Sequence, residues 1–296
     1  MPEKRPSAFA RPRFYVWKKD ILYLGSAITH PTPHKMAHHK FMACLEGHFT
    51  VHSGHRTVKT RSCLLASGHW QDNTLIDCSN AVSAAWLLSP FTQDYPALAS
   101  IMAGANGNLC YDHPLEDDLI RHLREARDVP RPDSGKAVRD GLRALLLPGM
   151  LNEKVFRIVD HRVVETARRI QSMASTNLPL QPLAQEADLS YCYLEKLFKE
   201  HTGLPIVQYR LMFRSYMAAI LLALGYSITE AAMKAGFSSP SHFSRTHRAL
   251  TGETASELFV KSGAEAVIEK SVVRTILRIA RGSEGTTADR ATITPP

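Results

Sequence analysis

The sequence predicts an α+β multidomain chain: a β-barrel or jelly roll with accompanying helices, followed by an all-α half built on two helix-turn-helix units. Three observations carry this expectation. Short β-prone runs separated by turn signals fill residues 20–88. A helix-turn-helix pattern that begins near residue 182 returns about 49 residues later. Between the two regions, Pro148-Gly149 breaks the chain and puts the boundary near 150–160. At 296 residues, 44% of them hydrophobic and 22% charged, the chain is long enough for two cores.

Residues 1–18 hold Lys4, Arg5, Arg11, Arg13 and Lys18 with three prolines and little acid. They form a basic arm, either a solvated terminus or a segment touching nucleic acid or the partner domain. The β-prone runs follow at Ile21 to Ala27, Lys40 to Leu45, Phe49 to Ser53, Thr57 to Thr60, Ser62 to Ala66, Leu75 to Cys78 and Ala84 to Leu88. Glu46-Gly47, Ser53-Gly54 and Ser67-Gly68 supply turns between them. Regularly spaced short strands suggest a small sandwich or barrel. Residues 91–108 are loop-rich, and helices are expected over 112–128 and 135–147. Val138, Leu142, Leu145 and Leu146 give the second of these an apolar stripe, which can face the strands or a second protomer.

Histidines crowd the β region, at 30, 34, 38, 39, 48, 52, 55 and 69. His38, His39 and His69 are the candidate ligand-binding residues. His38 and His39 are adjacent, so on a strand they point to opposite faces. Three alternatives stand: a metal site, a metal-free pocket using one or two of these rings, and surface histidines. Trp70 and Trp86 read as core rather than as a ligand platform.

In the C-terminal half, 152–175 opens the domain and Pro182 to Ala187 gives a short helix. Asp188 stands in the tight turn that follows, being among the few residues that tolerate a left-handed backbone. Ser190 is placed to cap a helix running to Gly203, in which Leu194, Leu197, Phe198 and His201 share one face. Cys192, Glu195, Lys196 and Lys199 share another. The second copy runs from Ile228 to Lys234, through Ala235-Gly236-Phe237-Ser238-Ser239, to Pro240 to Leu250 and Thr251-Gly252. Lys196 matches Arg245, Lys199 matches Arg248, Leu194 matches Phe243 and Gly203 matches Gly252. Ile206 to Leu224 contains no Gly or Pro and reads as one helix about 25 to 28 Å long. That length suits a spacer holding two reading helices in successive major grooves.

These strings resemble a family. Leu183 to Leu258 is similar to the DNA-binding domain of AraC/XylS-type transcription regulators, two helix-turn-helix units joined by a long helix. The resemblance lies in Leu-Phe-Lys-Glu-His-Thr-Gly at 197–203, Tyr209, Ser-Ile-Thr-Glu-Ala-Ala at 227–232, and Ala-Gly-Phe-Ser-Ser-Pro-Ser-His-Phe-Ser-Arg at 235–245. It implies base-reaching roles for Cys192, Glu195 and Lys196 in the first unit and for Pro240, Ser241 and Arg245 in the second. Lys and Arg suit the guanine O6 and N7 edge, and Glu can accept from the cytosine amino group. Lys199 and Arg248, with Ser190 and Ser239 at the helix starts, are placed for phosphates. The chain departs from the family pattern at His247, where Phe is usual, at Ala255, where Pro is usual, and at Pro205, one residue early. Thr246 and His247 reduce the apolar face of the second reading helix, so the first unit is expected to be the better formed. The β region resembles the cupin-like sensing domain of the same regulators, which implies a small-molecule effector, a homodimer and contact with RNA polymerase.

Beyond residue 260, where the family commonly ends, Ile268, Val272, Ile276 and Ile279 predict an amphipathic helix over 265–281, with a disordered tail from 282. The expected organisation is therefore 1–155, 156–260 and 261–296. Five cysteines, odd in number and without a close pair, argue against a disulfide framework or zinc knuckle. No apolar run approaches 18 residues, so a soluble cytoplasmic protein without membrane contact is expected. The charge of +8 favours an acidic partner without locating it. No cofactor is expected. The function that follows is a non-enzymatic, sequence-specific regulator of transcription that binds double-stranded DNA. Two alternatives remain: a metal-dependent cupin enzyme with a helical appendage, and a degenerate regulator acting by heterodimerisation.

Overall fold

A computed structural model describes residues 11–18, 20–26, 38–53, 56–68, 74–77, 82–107, 109–128, 135–147, 149, 156–176, 179–251, 254–256 and 263–288. The chain forms two units, residues 1–158 with 260–269, and 159–259 with 270–296.

The first unit contains the strands β1 (Arg13–Val16), β2 (Ile21–Ser26), β3 (His39–Glu46), β4 (Phe49–Ser53), β5 (Arg56–Thr60), β6 (Ser62–Leu65), β7 (Thr74–Asp77) and β8 (Val82–Leu88). Helix α1 (Asp94–Ala99), strands β9 (Gly104–Asn106) and β10 (Leu109–Tyr111), and helices α2 (Glu116–Asp128) and α3 (Lys136–Leu146) follow. A last strand, β11 (Glu265–Ile268), is supplied from the stretch between the two segments of the second unit. The larger sheet has the order β11-β1-β2-β8-β3-β6-β10-β9, and the smaller β5-β4-β7.

Alternation along the strands explains why they read as nearly unbroken apolar runs. Phe41, Ala43 and Leu45 of β3, with Leu22, Leu24, Leu64 and Trp86, join a core that includes Leu119, Leu123, Val138, Leu142 and Leu146 of α2 and α3. Met42 and Cys44, with Tyr23, Cys63 and Leu65, join Phe49, Val51 and Ile76 of the smaller sheet in a second core. The larger sheet is thus buried on both faces, helices on one and strands on the other. The expected barrel is not found: among the described residues the outer strands β11 and β9, and β5 and β7, do not pair, so neither sheet closes. Helices occupy the face that a barrel would turn to water. The stripe of α3 is consumed here, Val138, Leu142 and Leu146 being buried in the sheet-facing core.

Two expectations about the chain's ends change. Part of the basic arm is strand β1, which puts Tyr15 in the core, its hydroxyl donating to the Ala126 carbonyl at 2.9 Å. Residues 265–268, expected to start a helix, lie parallel to β1 with Arg13, Phe14, Tyr15 and Val16 opposite Glu265, Ala266, Val267 and Ile268. Arg13 and Glu265 pair at 3.0 Å, and Val267 and Ile268, both β-branched, fit a strand better than a helix. The helix begins later, as α10 (Lys270–Ala288), and belongs to the second unit. It runs through 282–288, where the sequence suggests disorder; 289–296 lie outside the described residues.

The second unit is helical: α4 (His161–Ser172), α5 (Leu180–Glu186), α6 (Tyr191–Thr202), α7 (Ile206–Ala223), α8 (Ile228–Lys234), α9 (Pro240–Thr251) and α10. Its centre is α7, which packs on α4, α6, α8, α9 and α10. Arg214 of α7 is 5% exposed and sends Nε to the Ala174 carbonyl at 2.6 Å and Nη2 to the Thr176 carbonyl at 2.7 Å. Desolvation lowers this guanidinium to about 10. The loop after α4 is thereby tied to the central helix.

Candidate nucleic-acid interface

The first helix-turn-helix unit is α5 and α6. Asp188 adopts φ +52, the left-handed turn its residue type permits, and Leu189 N–H donates to the Ala184 carbonyl at 2.9 Å. The Ser190 hydroxyl accepts from Tyr193 N–H at 3.3 Å, capping α6. Gly203, at φ +79, closes the helix with its N–H on the Lys199 carbonyl at 2.8 Å. Leu194 and Phe198 are fully buried, with Phe198 edge-on to Tyr209 of α7. Cys192, Tyr193, Lys196 and Lys199 are exposed on the opposite side.

The second unit, α8 and α9, repeats this. Ser227 and Glu230 form a capping box at the start of α8. Gly236 turns the chain at φ +86, and Phe237 N–H reaches the Ala232 carbonyl at 3.0 Å. The Ser239 hydroxyl accepts from His242 N–H at 3.1 Å and caps α9. Phe243 and His247 are buried, while Ser241, Arg245 and Arg248 are exposed; Pro240 is half-buried. Lys196, Lys199, Arg245 and Arg248 form no ion pair among the described residues. Four cations therefore stand on the outer faces of two matched helices with no acidic partner among the described residues.

Two of the sequence-derived roles need revision in detail. Glu195 is half-buried and its Oε2 accepts from Ile206 N–H, the first residue of α7, at 3.3 Å. It caps the long helix, whose own preceding residue is Pro205 and offers no side-chain acceptor. Glu195→Ala should cost about 1 kcal/mol in urea denaturation and leave base preference unchanged. Altered preference at unchanged stability would return Glu195 to reading. His247 does not leave the second helix short of packing. Its ring is 3% exposed, lies against Phe243, and its Nδ1 is 2.8 Å from the Ser215 hydroxyl of α7.

Burial lowers His247 to about 4, against an ordinary value of 6.5. The unfolded chain then takes up the proton more readily than the folded one. Stability from this site is complete above pH 6.5 and is lost as pH falls towards 4. Between pH 7 and pH 5 this site's share of the loss should be about 2 kcal/mol, read from urea midpoints, and His247→Phe should reduce the acid loss by that share. An undiminished acid loss in that variant would assign the effect elsewhere.

Tyr193, half exposed one turn before Lys196, was not singled out from the sequence. The available signal was its spacing, three residues ahead of Lys196 and six ahead of Lys199.

In the first unit, His38 is half-buried and pushed down to about 4 by desolvation. His39 is buried, its Nδ1 accepting from Ser67 N–H at 3.0 Å and its ring stacked on Tyr95 at 4.1 Å. Such a ring is occupied in holding β3 to the loop after β6. His69 and Trp70 lie outside the described residues, and Trp86 is core. Among the described residues no group of three or more His, Cys, Asp or Glu could hold a metal ion, and no helix is long and apolar enough to cross a membrane.

Comparison with known proteins accords with the duplicated geometry. The helix-turn-helix domain family matches residues 183–260. The arabinose operon regulatory protein of Escherichia coli (strain K12) is 29% identical over 137 residues, 45% of this chain and 46% of that protein. The chain thus aligns with about half the length of that relative. Among solved structures, a variant of apo ToxT from Vibrio cholerae strain SCE256 superposes with a TM-score of 0.56 at 16% identity, over 82% of this chain and 97% of the other. ToxT from Vibrio cholerae O395, bound to (E)-4-(8-methylnaphthalen-1-yl)but-3-enoic acid, gives 0.50 at 15% identity, over 84% and 98%. These last two show likeness of fold. Residues 183–260 of this chain are thus similar to the helix-turn-helix domain family, and the chain is similar over part of its length to the arabinose operon regulatory protein.

Proposed function

We propose that this chain is a sequence-specific DNA-binding regulator of transcription. One observation carries the proposal: two capped helices, α6 and α9, each turn an apolar face inward and outward a basic face that makes no ion pair among the described residues, in two units joined by the 18-residue helix α7. Lys196 and Arg245 are the base-reading cations. Cys192, Ser241 and Pro240 line the same helix starts, and Lys199 and Arg248 hold phosphates. Ser190 and Ser239 act through the backbone N–H groups they fix at each helix start. Genome-wide capture of DNA by the purified full chain, followed by footprinting of an enriched site, tests this. Absence of any enriched fragment would overturn it.

The N-terminal unit takes a small-molecule effector and mediates a homodimer in this reading, and its two sheets sharing a core are compatible with the cupin-like expectation. The carboxylic acid held by ToxT of Vibrio cholerae O395 supports an effector of organic-acid type here. RNA polymerase is the remaining partner in this reading, and the cell's cytoplasm its place. Histidines 38, 39 and 69 remain the effector-binding candidates on sequence grounds, His39 acting only through the loop at Ser67 that its ring holds. Isothermal titration of the full chain with organic acids measures the effector arm directly. The heterodimer alternative drew on a weak second unit, and the buried contact of His247 with Ser215 removes that motive.

A further inference from the structure

Helix α10 carries Lys270, Arg274, Arg278 and Arg281 at successive intervals of four, four and three residues, which sets them within one narrow face. All four are exposed. Val272, Ile276, Ile279 and Ala280 fill the opposite face, are buried, and seat α10 against α7 and α8. The seat is fixed further by the Ser175 hydroxyl, which donates to the Ile279 carbonyl at 3.0 Å. No acidic residue occurs between 270 and 282, and none of the four cations makes an ion pair among the described residues. Glu269, just before the helix, is already engaged, accepting from Lys18 N–H and lying 3.8 Å from Arg139.

Like charges at these intervals oppose helix formation, and a helix that only had to cover α7 and α8 would gain from an acid or two on its outer face. The row instead extends about 16 Å with cations about 6 Å apart along the axis, a linear array of one sign. Its complement is a polymer of regularly spaced negative charge. One DNA strand advances about 3.4 Å per phosphate, so the row matches about five phosphates. The array is part of the same unit as α6 and α9.

We infer that the outer face of α10 is a second DNA-contact surface, which grips backbone phosphates without reading bases and adds to the grip of α6 and α9. The inference rests on the DNA-binding function proposed above. Because phosphate contacts release counterions, their number appears as the slope of log affinity against log salt, about 0.9 per contact.

The test compares the unaltered full chain with a variant carrying K270A, R274A, R278A and R281A, on a footprinted site embedded in several helical turns of flanking DNA. The salt slope should fall by about 2 to 4 while the footprinted base pairs and relative sequence preference stay the same. A variant with R274K, R278K and R281K should keep the original slope, since it keeps the charge. An unchanged slope in the alanine variant would overturn the inference, as would loss of slope in the lysine variant, which would trace the effect to packing. Unchanged DNA binding with lost stimulation of transcription would overturn it in favour of an acidic protein partner. If the unaltered chain binds no fragment, the DNA-binding function itself fails and the row falls with it.

Discussion

Lys196→Ala and Arg245→Ala should each weaken binding to a captured site by about 1 to 3 kcal/mol, roughly a fivefold to 150-fold loss, with discrimination relaxed in a different half of the site for each. Both residues stand on the exposed side of a capped helix whose other side is fully buried at Leu194 and Phe198, or at Phe243. Neither makes an ion pair among the described residues, so truncation should leave the denaturation curve within about 0.5 kcal/mol of the original. The paired residues one turn further on provide the contrast. Lys199→Ala and Arg248→Ala should weaken binding to all sequences alike and lower the salt slope by about 0.9 each. Quantitative footprinting against a series of substituted sites separates the two patterns. Unchanged affinity and preference in both K196A and R245A would remove the two helices as readers.

Gly236→Ala should unfold or misplace the second unit at a cost of at least about 2 kcal/mol. Gly236 sits at φ +86, and a β-carbon there would lie 2.7 Å from the Ala174 carbonyl oxygen and 2.9 Å from that of Ser175. Those carbonyls belong to the loop that Arg214 grips through Ala174 and Thr176, so they have little freedom to withdraw. Gly225→Ala isolates the backbone contribution: its φ is +94 with nothing within 4 Å of the added carbon. That variant should cost about 1 kcal/mol and keep both halves of the footprint. The Gly236 variant should lose protection in the half contacted by α9 before the half contacted by α6. Equal costs for the two substitutions would show that the loop at 174–176 yields.

Much of this was legible in local pattern. The strands at Ile21–Ser26, Phe49–Ser53 and Ser62–Leu65, and the helices at Tyr191–Thr202 and Ile228–Lys234, follow from periodicity and turn residues that lie within the segments themselves. Asp188 and Gly203 adopt the left-handed conformations that their residue types announced. What escaped depends on partners far along the chain. Arg13–Val16 sits in a run rich in arginine and proline, and its pairing with Glu265–Ile268 has no local trace. Glu195 looks like a surface acid until Ile206, eleven residues on, presents an unpaired N–H. His247 looks like damage to an apolar face until Ser215, 32 residues earlier, meets its ring nitrogen. The barrel expectation failed for a related reason: alternation reveals one buried face, and only the later helices α2 and α3 show that the second is buried too.

The pairing of β1 with β11 sets a timetable for biosynthesis. Arg13 and its partner Glu265 are 252 residues apart, so an emerging chain displays β1 long before the ribosome delivers the strand that covers it. Throughout that interval the larger sheet ends on β1 instead of β11, and the β1 edge is open to chaperones or to the same edge on a neighbouring nascent chain. A fragment stopped at residue 158 would keep the β1 edge free, and should take up an added peptide spanning 260–269 in parallel register beside it.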